Sequence, residues 1–331
     1  MIRIAIIGLG WWGKQIAICL AGSPALQNRG RLRYRHDMAT AFAAEKKFDL
    51  VGDYKALLDR SDVDAVAIVT PHLLHEEMAI ASFAAGKHVF CEKPLALTTA
   101  SAERIIAACK KAGSVLGIGH ERRFEPAMEE MYRLFASGVL GRVLHMDANV
   151  SHNNFRKMDP SNWRRDPSQA PAGAWTALGI HLGDMFVSLA GRPVQVTART
   201  ASQIFPAPGE DFVSAEIEFE NGARGRITCL STPPFYGRFT IVCDQGWVEI
   251  QEGGNVDKEI PSSFIYCAPD GSRQSRNFEH ANTVRMNFEA WADAIERGTP
   301  YRFTIEQLLA NIRILDAVTR SAANEGKPIR L

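Results

Sequence analysis

Gly8, Gly10 and Gly13 stand between a short apolar stretch and a helix-forming segment, and that order leaves the start of the chain few ways to fold. Ile2 to Ile7 is almost continuously apolar and β-branched, as in a parallel strand buried on both faces. Lys14 to Leu20 reads as a helix. In a strand, turn, helix sequence, Gly8 permits the tight turn, Gly10 lets a pyrophosphate approach the backbone, and Gly13 lets helix and strand pack closely. The phosphate then rests on the positive end of the helix. Trp11 and Trp12 lie in the same loop and are counted with this cofactor side. A glycine-rich turn alone would be weak evidence, but its place between first strand and first helix points to dinucleotide binding.

Two further buried-strand runs follow, Ala65 to Val69 and His88 to Phe90, each after a helix-like segment. This alternation predicts right-handed βαβ units and a doubly wound parallel sheet of the Rossmann type. Near residue 120 the pattern changes. Val213, Ala215, Ile217 and Phe219 alternate with polar residues, and Asn221-Gly222 turns the chain into Arg224 to Leu230. Further strands are expected at Val143 to Val150, Val194 to Thr200, Phe239 to Cys243 and Trp247 to Ile250. Helices are expected at Pro126 to Ala136, Ile180 to Ala190, Thr283 to Arg297 and Ile305 to Ala323, and a long surface loop or irregular hairpin over 251 to 272. The fold class is therefore α/β: a dinucleotide-binding domain over residues 1–121, then an α+β domain over 122–331 built on a large, mostly antiparallel, open-faced sheet.

Composition removes several classes of function. Lys plus Arg (38) nearly balances Asp plus Glu (37), so no global field would hold a nucleic acid or an anionic membrane surface. No run approaches the roughly 18 apolar residues of a membrane span. The six cysteines are scattered without zinc-like spacing, which fits a reducing cytoplasm. His72 and His75 sit three apart beside Glu76, yet no third ligand follows at a suitable spacing, so no metal site is expected.

The usual dinucleotide fingerprint continues with an acidic residue closing the second strand. Here the corresponding stretch is Arg29-Gly30-Arg31-Leu32-Arg33-Tyr34-Arg35-His36, with Asp37 past the expected strand end. Guanidinium groups such as Arg33 and Arg35 suit a 2′-phosphate, so NADP is favoured over NAD. The same run also fits a solvated basic edge strand with no ligand.

Together with the glycine loop, Val69-Thr70-Pro71-His72-Leu73-Leu74-His75, Cys91-Glu92-Lys93-Pro94-Leu95 and Gly179-Ile180-His181-Leu182-Gly183-Asp184 resemble the glucose-fructose oxidoreductase / inositol dehydrogenase / MocA (Gfo/Idh/MocA) family over nearly the whole chain. The resemblance implies an NAD(P)-dependent oxidoreductase that moves a hydride between nicotinamide and a secondary alcohol or ketone of a small sugar, cyclitol or dihydrodiol. It implies Lys93 and His181 as catalytic residues: a cation that stabilises the alkoxide, and an imidazole that exchanges the alcohol proton. It sets Thr70, Pro71, His72, His75 and Glu92 with Lys93 on the cofactor side, with Lys93-Pro94 often cis. Trp163 and Arg164 resemble a Trp-Arg element near cofactor or substrate. Asp184 shares a helical face with His181 and is a candidate to orient it, cap the helix or bind substrate. Glu121, where the family commonly carries Asn, and the neighbouring His120 are candidates for a changed substrate pocket. The family also implies a homodimer or homotetramer. One departure stands out, because Ala177 occupies the place of an Asp thought to assist the histidine. A rival on the same fold is a non-catalytic NADP-binding sensor or assembly protein.

Overall fold

The structure is a computed structural model that describes residues 1–32, 45, 50–206, 209–255 and 258–331. The chain forms two compact units, Met1–Glu121 with Asn282–Ile305, and Arg122–Ala281 with Glu306–Leu331. Among the described residues the α-helices are α1 (Trp11–Cys19), α2 (Tyr54–Leu58), α3 (His75–Ala84), α4 (Thr99–Ala112), α5 (Pro126–Ala136), α6 (Ile180–Ala190), α7 (Thr283–Arg297) and α8 (Ile305–Ala322). None is long and apolar enough to cross a membrane.

In the first unit β1 (Ile2–Ile7), β2 (Leu26–Leu32), β3 (Leu50–Val51), β4 (Ala65–Ile68), β5 (His88–Cys91) and β6 (Leu116–Ile118) form one parallel sheet in the order β3-β2-β1-β4-β5-β6. The solid apolar runs explain it. All four residues of β4 are buried, as strands covered on both faces require. The chain reverses its direction of travel across the sheet between β1 and β4, and such a switch point opens a crevice at the carboxyl ends of the strands. Ile7 pairs with Ile68, Ile68 with Cys91, and Cys91 with Ile118, so the next residues, Gly8, Val69, Glu92 and Gly119, share one edge.

The sequence pattern assigns all of 122–331 to the second domain, whereas α7 belongs to the first unit. Apolar burial accounts for this. Phe288 stacks on Phe90 at 3.7 Å, and Trp291 meets the same ring edge-on at 5.5 Å. Asn287 Nδ2 donates to Ile118 O (2.8 Å), and Arg285 Nε donates to Cys19 O (2.7 Å), satisfying a carbonyl at the end of α1.

The second unit is built on β7 (Val143–Ser151), β8 (Pro193–Ala201), β9 (Phe212–Phe219), β10 (Arg224–Leu230), β11 (Tyr236–Cys243), β12 (Gly246–Glu252), β13 (Ser262–Cys267), β14 (Arg273–Phe278) and β15 (Ile329–Arg330). Their order is β14-β13-β12-β11-β7-β10-β9-β8-β15, antiparallel except for the parallel pair β7 and β10. Of the two readings of 251–272, a long surface loop or an irregular hairpin, the hairpin is the nearer, since the segment holds the end of β12 and all of β13. Ser262 to Cys267 pairs with β12, and Arg273 to Phe278 pairs with β13 as a hairpin. One face of the sheet is apolar and covered: Phe186 of α6 meets Phe239 at 5.6 Å and lies over Gly225, where a Cβ would come within 2.5 Å of the ring. The other face carries cross-strand ion pairs, with Asp147 between Arg226 and Arg238, and Arg224 against Glu218 (2.9 Å).

Candidate active site

The glycine loop has the shape a dinucleotide requires. Gly8 has φ +105°, and a Cβ there would lie 2.4 Å from Val69 O. A Cβ on Gly13 would lie 2.0 Å from Gly8 O, so this glycine is what brings α1 against the turn. Gly10 differs, since a Cβ there meets nothing within 4 Å. Its open backbone stands at the N-cap of α1, where no side chain caps the free N–H groups and the first turn carries no acid. Diphosphate is the chemistry that such a helix end accepts. Trp11 is 58% exposed, with its ring centroid 5.6 Å from that of Trp12. The cradle therefore fits the cofactor. Among the described residues no three His, Cys, Asp or Glu side chains cluster as a metal site.

Arg33, Arg35 and Asp37 lie outside the described residues, and β2 runs to Leu32.

Thr70 and Pro71 follow β4, with His72 opening a short 3-10 turn ahead of α3. His75 is fully buried, its ring nitrogens 2.9 Å from Pro94 O and 3.1 Å from Thr70 O. Burial lowers its pKa, against the pull of the surrounding backbone carbonyls. His75 thus ties the loop after β4 to the loop after β5 and keeps no face for a ligand. The Lys93-Pro94 bond is cis.

Glu92 is buried directly before Lys93, whose backbone N–H donates to Glu92 Oε2 (3.2 Å). The carboxylate fills the space that the missing side chain of Gly119 leaves, because a Cβ there would lie 2.5 Å from Glu92 Oε1. Burial pushes the Glu92 carboxyl up to about 7, helped by the charge of Glu121 and opposed by Lys93, the Trp12 indole and the Lys93 N–H. Glu121 and His120 are themselves buried, and His120 lies 6.2 Å from the Phe303 ring. No motif in the sequence signals that Glu92 and Glu121 act on each other.

In the second unit His181 is 5% exposed in the first turn of α6, which grows out of a π-helical turn, Trp175–Gly179. Such turns are rare and recur at functional sites. Ala177 lies in this turn. Asp184 is not available to a substrate. It is 1% exposed, and its two carboxylate oxygens accept from Arg123 Nε and Nη2 at 2.6 Å each. Arg123 Nη2 also donates to Asp184 O (3.0 Å), and Nη1 donates to Gln307 Oε1 (2.9 Å). The reading of Asp184 as a substrate contact is corrected accordingly: a bidentate buried pair holds the turn of α6 that follows His181. Arg122 is likewise buried, paired with Glu252. The adjacent arginines before helix-starting Pro126 were the available signal for both pairs, since two surface cations need not stand beside Phe124. Trp163 and Arg164 share a 3-10 turn capped by Asn162, whose Oδ1 accepts from Arg164 N (3.0 Å).

Comparison with known proteins agrees with this architecture. A model described as the oxidoreductase family with an NAD-binding Rossmann fold matches residues 2–120. A GFO/IDH/MocA C-terminal domain model matches residues 128–249. A 4-carboxy-2-hydroxymuconate-6-semialdehyde dehydrogenase of Sphingobium sp. is 30% identical over 98% of this chain and 100% of its own length. An NADP-dependent D-xylose 1-dehydrogenase of Haloferax volcanii is 29% identical over 82% of each chain. Among solved structures, the aldose-aldose oxidoreductase of Caulobacter crescentus superposes with a TM-score of 0.87 at 25% identity, covering 100% of this chain and 99% of that one. The chain belongs to the Gfo/Idh/MocA family and is an NAD(P)-dependent oxidoreductase acting on CH–OH groups.

Proposed function

We propose that the chain interconverts a secondary alcohol and a ketone on a small polyhydroxylated substrate of the sugar, cyclitol or dihydrodiol class, with NADP preferred to NAD. What supports this reading is Lys93, which follows β5 at the same carboxyl edge of the parallel sheet where the glycine loop follows β1. Nicotinamide, when bound, supplies the hydride chemistry. The Gly8-to-Gly13 loop and the N-terminus of α1 hold the diphosphate. The Lys93 ammonium stabilises negative charge on the oxygen of the reacting carbon. Glu92 accepts from the Lys93 backbone N–H, and His75 Nδ1 bonds Pro94 O on the other side of the cis peptide. His181 takes the hydroxyl proton in oxidation and returns it in reduction. Asp184 acts through the helix by its bond to Arg123. The basic composition of 29–36 supports NADP, as does the relative from Haloferax volcanii, whose name records NADP and D-xylose.

The test is a panel of sugars, cyclitols and dihydrodiols with each cofactor, read by nicotinamide absorbance, together with competitive cofactor titration at fixed salt. Turnover with tighter NADP binding is expected. Equal or weaker binding of NADP refutes the cofactor preference, and saturable cofactor binding with no turnover in any class favours the sensor reading.

A further inference from the structure

Glu92 and Glu121 come to one buried place because of how β5 and β6 pair. Cys91 lies opposite Ile118, so Glu92 and Gly119 are the next neighbours across the two strands, and Glu121 opens the 3-10 turn Glu121–Phe124 just beyond. Both acids are buried. A Cβ on Gly119 would crowd both oxygens of Glu92, so this glycine is what lets the carboxyl turn toward β6. Two carboxylates buried beside each other cannot both ionise without a heavy electrostatic cost, so such a pair holds a proton.

The groups facing the pair decide what that proton does. The Lys93 ammonium favours the anionic form of Glu92, and so does the buried Trp12 indole of the glycine loop, which closes no hydrogen bond to it. An ionised Glu92 would therefore draw on Lys93. The remaining titratable neighbours bring no charge at neutral pH. Burial lowers His75, whose ring nitrogens are held by Pro94 O and Thr70 O. Burial pushes the Cys91 thiol well up, and the charge of Glu92 adds to it. Burial also raises Cys19, opposed by Arg285 and aided by Glu121. The Tyr301 hydroxyl donates to Asn287 Oδ1 (2.6 Å), the Arg285 Nε–H goes to Cys19 O at the end of α1, and His120 stands between Gly119 and Glu121 against the Phe303 ring.

Resting on the oxidoreductase reading above, we propose that Glu121 is a positioning residue for hydride transfer: it keeps a proton on Glu92, and the uncharged Glu92 leaves the Lys93 ammonium to the oxygen of the reacting carbon. Without that proton an anion stands against Lys93, and the ion pair competes with the developing alkoxide for one cation. An Asn at this position, as the family commonly carries, has no charge with which to hold the proton.

The test uses the full chain as wild type, Glu121→Gln, Glu92→Gln and the double variant, and two of its readouts need no substrate. The infrared carbonyl stretch of a protonated carboxyl should vanish in wild type with a midpoint at about pH 7, be missing in Glu92→Gln, and vanish at lower pH in Glu121→Gln. Trace acetylation of Lys93 by acetic anhydride is read by mass spectrometry against the exposed Lys110 of the same molecule. A fall of one to two pH units in the Glu92 midpoint lowers its protonated fraction at about pH 6 by roughly two- to tenfold. Lys93 acetylation and single-turnover hydride transfer should fall by up to that factor in Glu121→Gln at this pH. Acetylation above neutrality should be faster in Glu92→Gln than in wild type, and in that background Glu121→Gln should lose its effect on the pH profiles. Should Glu121→Gln fail to fold, Glu121→Asn gives the same comparison. A carboxyl band that persists in Glu92→Gln, a midpoint unmoved by the Glu121 substitution, or a Glu121 effect on Lys93 that survives in the Glu92→Gln background overturns the proposal. Should no substrate turn over, the oxidoreductase reading fails by itself, and the infrared and labelling results still decide whether Glu121 acts on Lys93 through Glu92.

Discussion

Glu92→Gln should change how the stability of the protein depends on pH. Glu92 keeps its proton to about pH 7 in the folded chain, against an ordinary glutamate value of 4.5. Between those two values the folded state binds more protons than the unfolded state, so the contribution of Glu92 to stability falls as pH rises. Over about pH 5 to about pH 8 that fall amounts to about 2–3 kcal/mol, at 1.36 kcal/mol per unit. A glutamine is neutral throughout, keeps the shape over Gly119 and removes this term. The difference in unfolding free energy, variant minus wild type, should therefore grow by about 2 kcal/mol or more from acid to alkaline pH. Urea unfolding followed by tryptophan fluorescence and circular dichroism measures it, because Trp291 is fully buried in the same unit. Glu121→Gln should reduce the effect in wild-type Glu92 by removing the second cause of the shift. Parallel pH profiles for wild type and Glu92→Gln would refute the argument that Glu92 is held protonated by burial and a neighbouring carboxylate.

Three further outcomes follow from the geometry. Gly10→Ala, in open space, should unfold at the wild-type temperature yet lose cofactor binding, while Gly8→Ala at φ +105° should lower thermal stability as well; a scan with and without NADPH separates the two. Asp184→Asn should destabilise the protein by about 3–5 kcal/mol, since Arg123 is left buried and uncompensated, and an unfolding midpoint unchanged from wild type would show that the pair is not structural. Light scattering at micromolar concentration should give two or four copies, with Leu144, Tyr236 and Val242 exposed among the charges of the uncovered sheet face, and a 36.5 kDa particle would contradict the assembly.

Much of the architecture was legible because it depends on local pattern. The solid runs of β1 and β4 and the alternation of Val213 to Phe219 announce two kinds of sheet, and the bounds of α5, α6 and α7 follow from their periodicity and caps. What escaped depends on contacts far apart in sequence. Nothing near Phe288 and Trp291 indicates that they pack on Phe90, so α7 was read with the wrong unit. The strand Ser262 to Cys267 was hidden by the glycines and proline just before it. Asp184 looked like a site residue because spacing places it near His181, while its partner Arg123 lies 61 positions away. The raised pKa of Glu92 arises from burial and from Glu121, neither of which a motif records.

Single-turnover hydride transfer in wild type, Lys93→Ala and His181→Ala tests the central claim most directly. A substrate found by the panel is mixed with cofactor-saturated enzyme, and nicotinamide absorbance is followed while cofactor affinity is measured in parallel. Each substitution should slow transfer by roughly 10²–10⁴-fold, the usual cost of losing one acid/base group, with cofactor affinity little changed for His181→Ala. Transfer within about tenfold of wild type in both variants, at unchanged cofactor affinity, would contradict the roles assigned to Lys93 and His181.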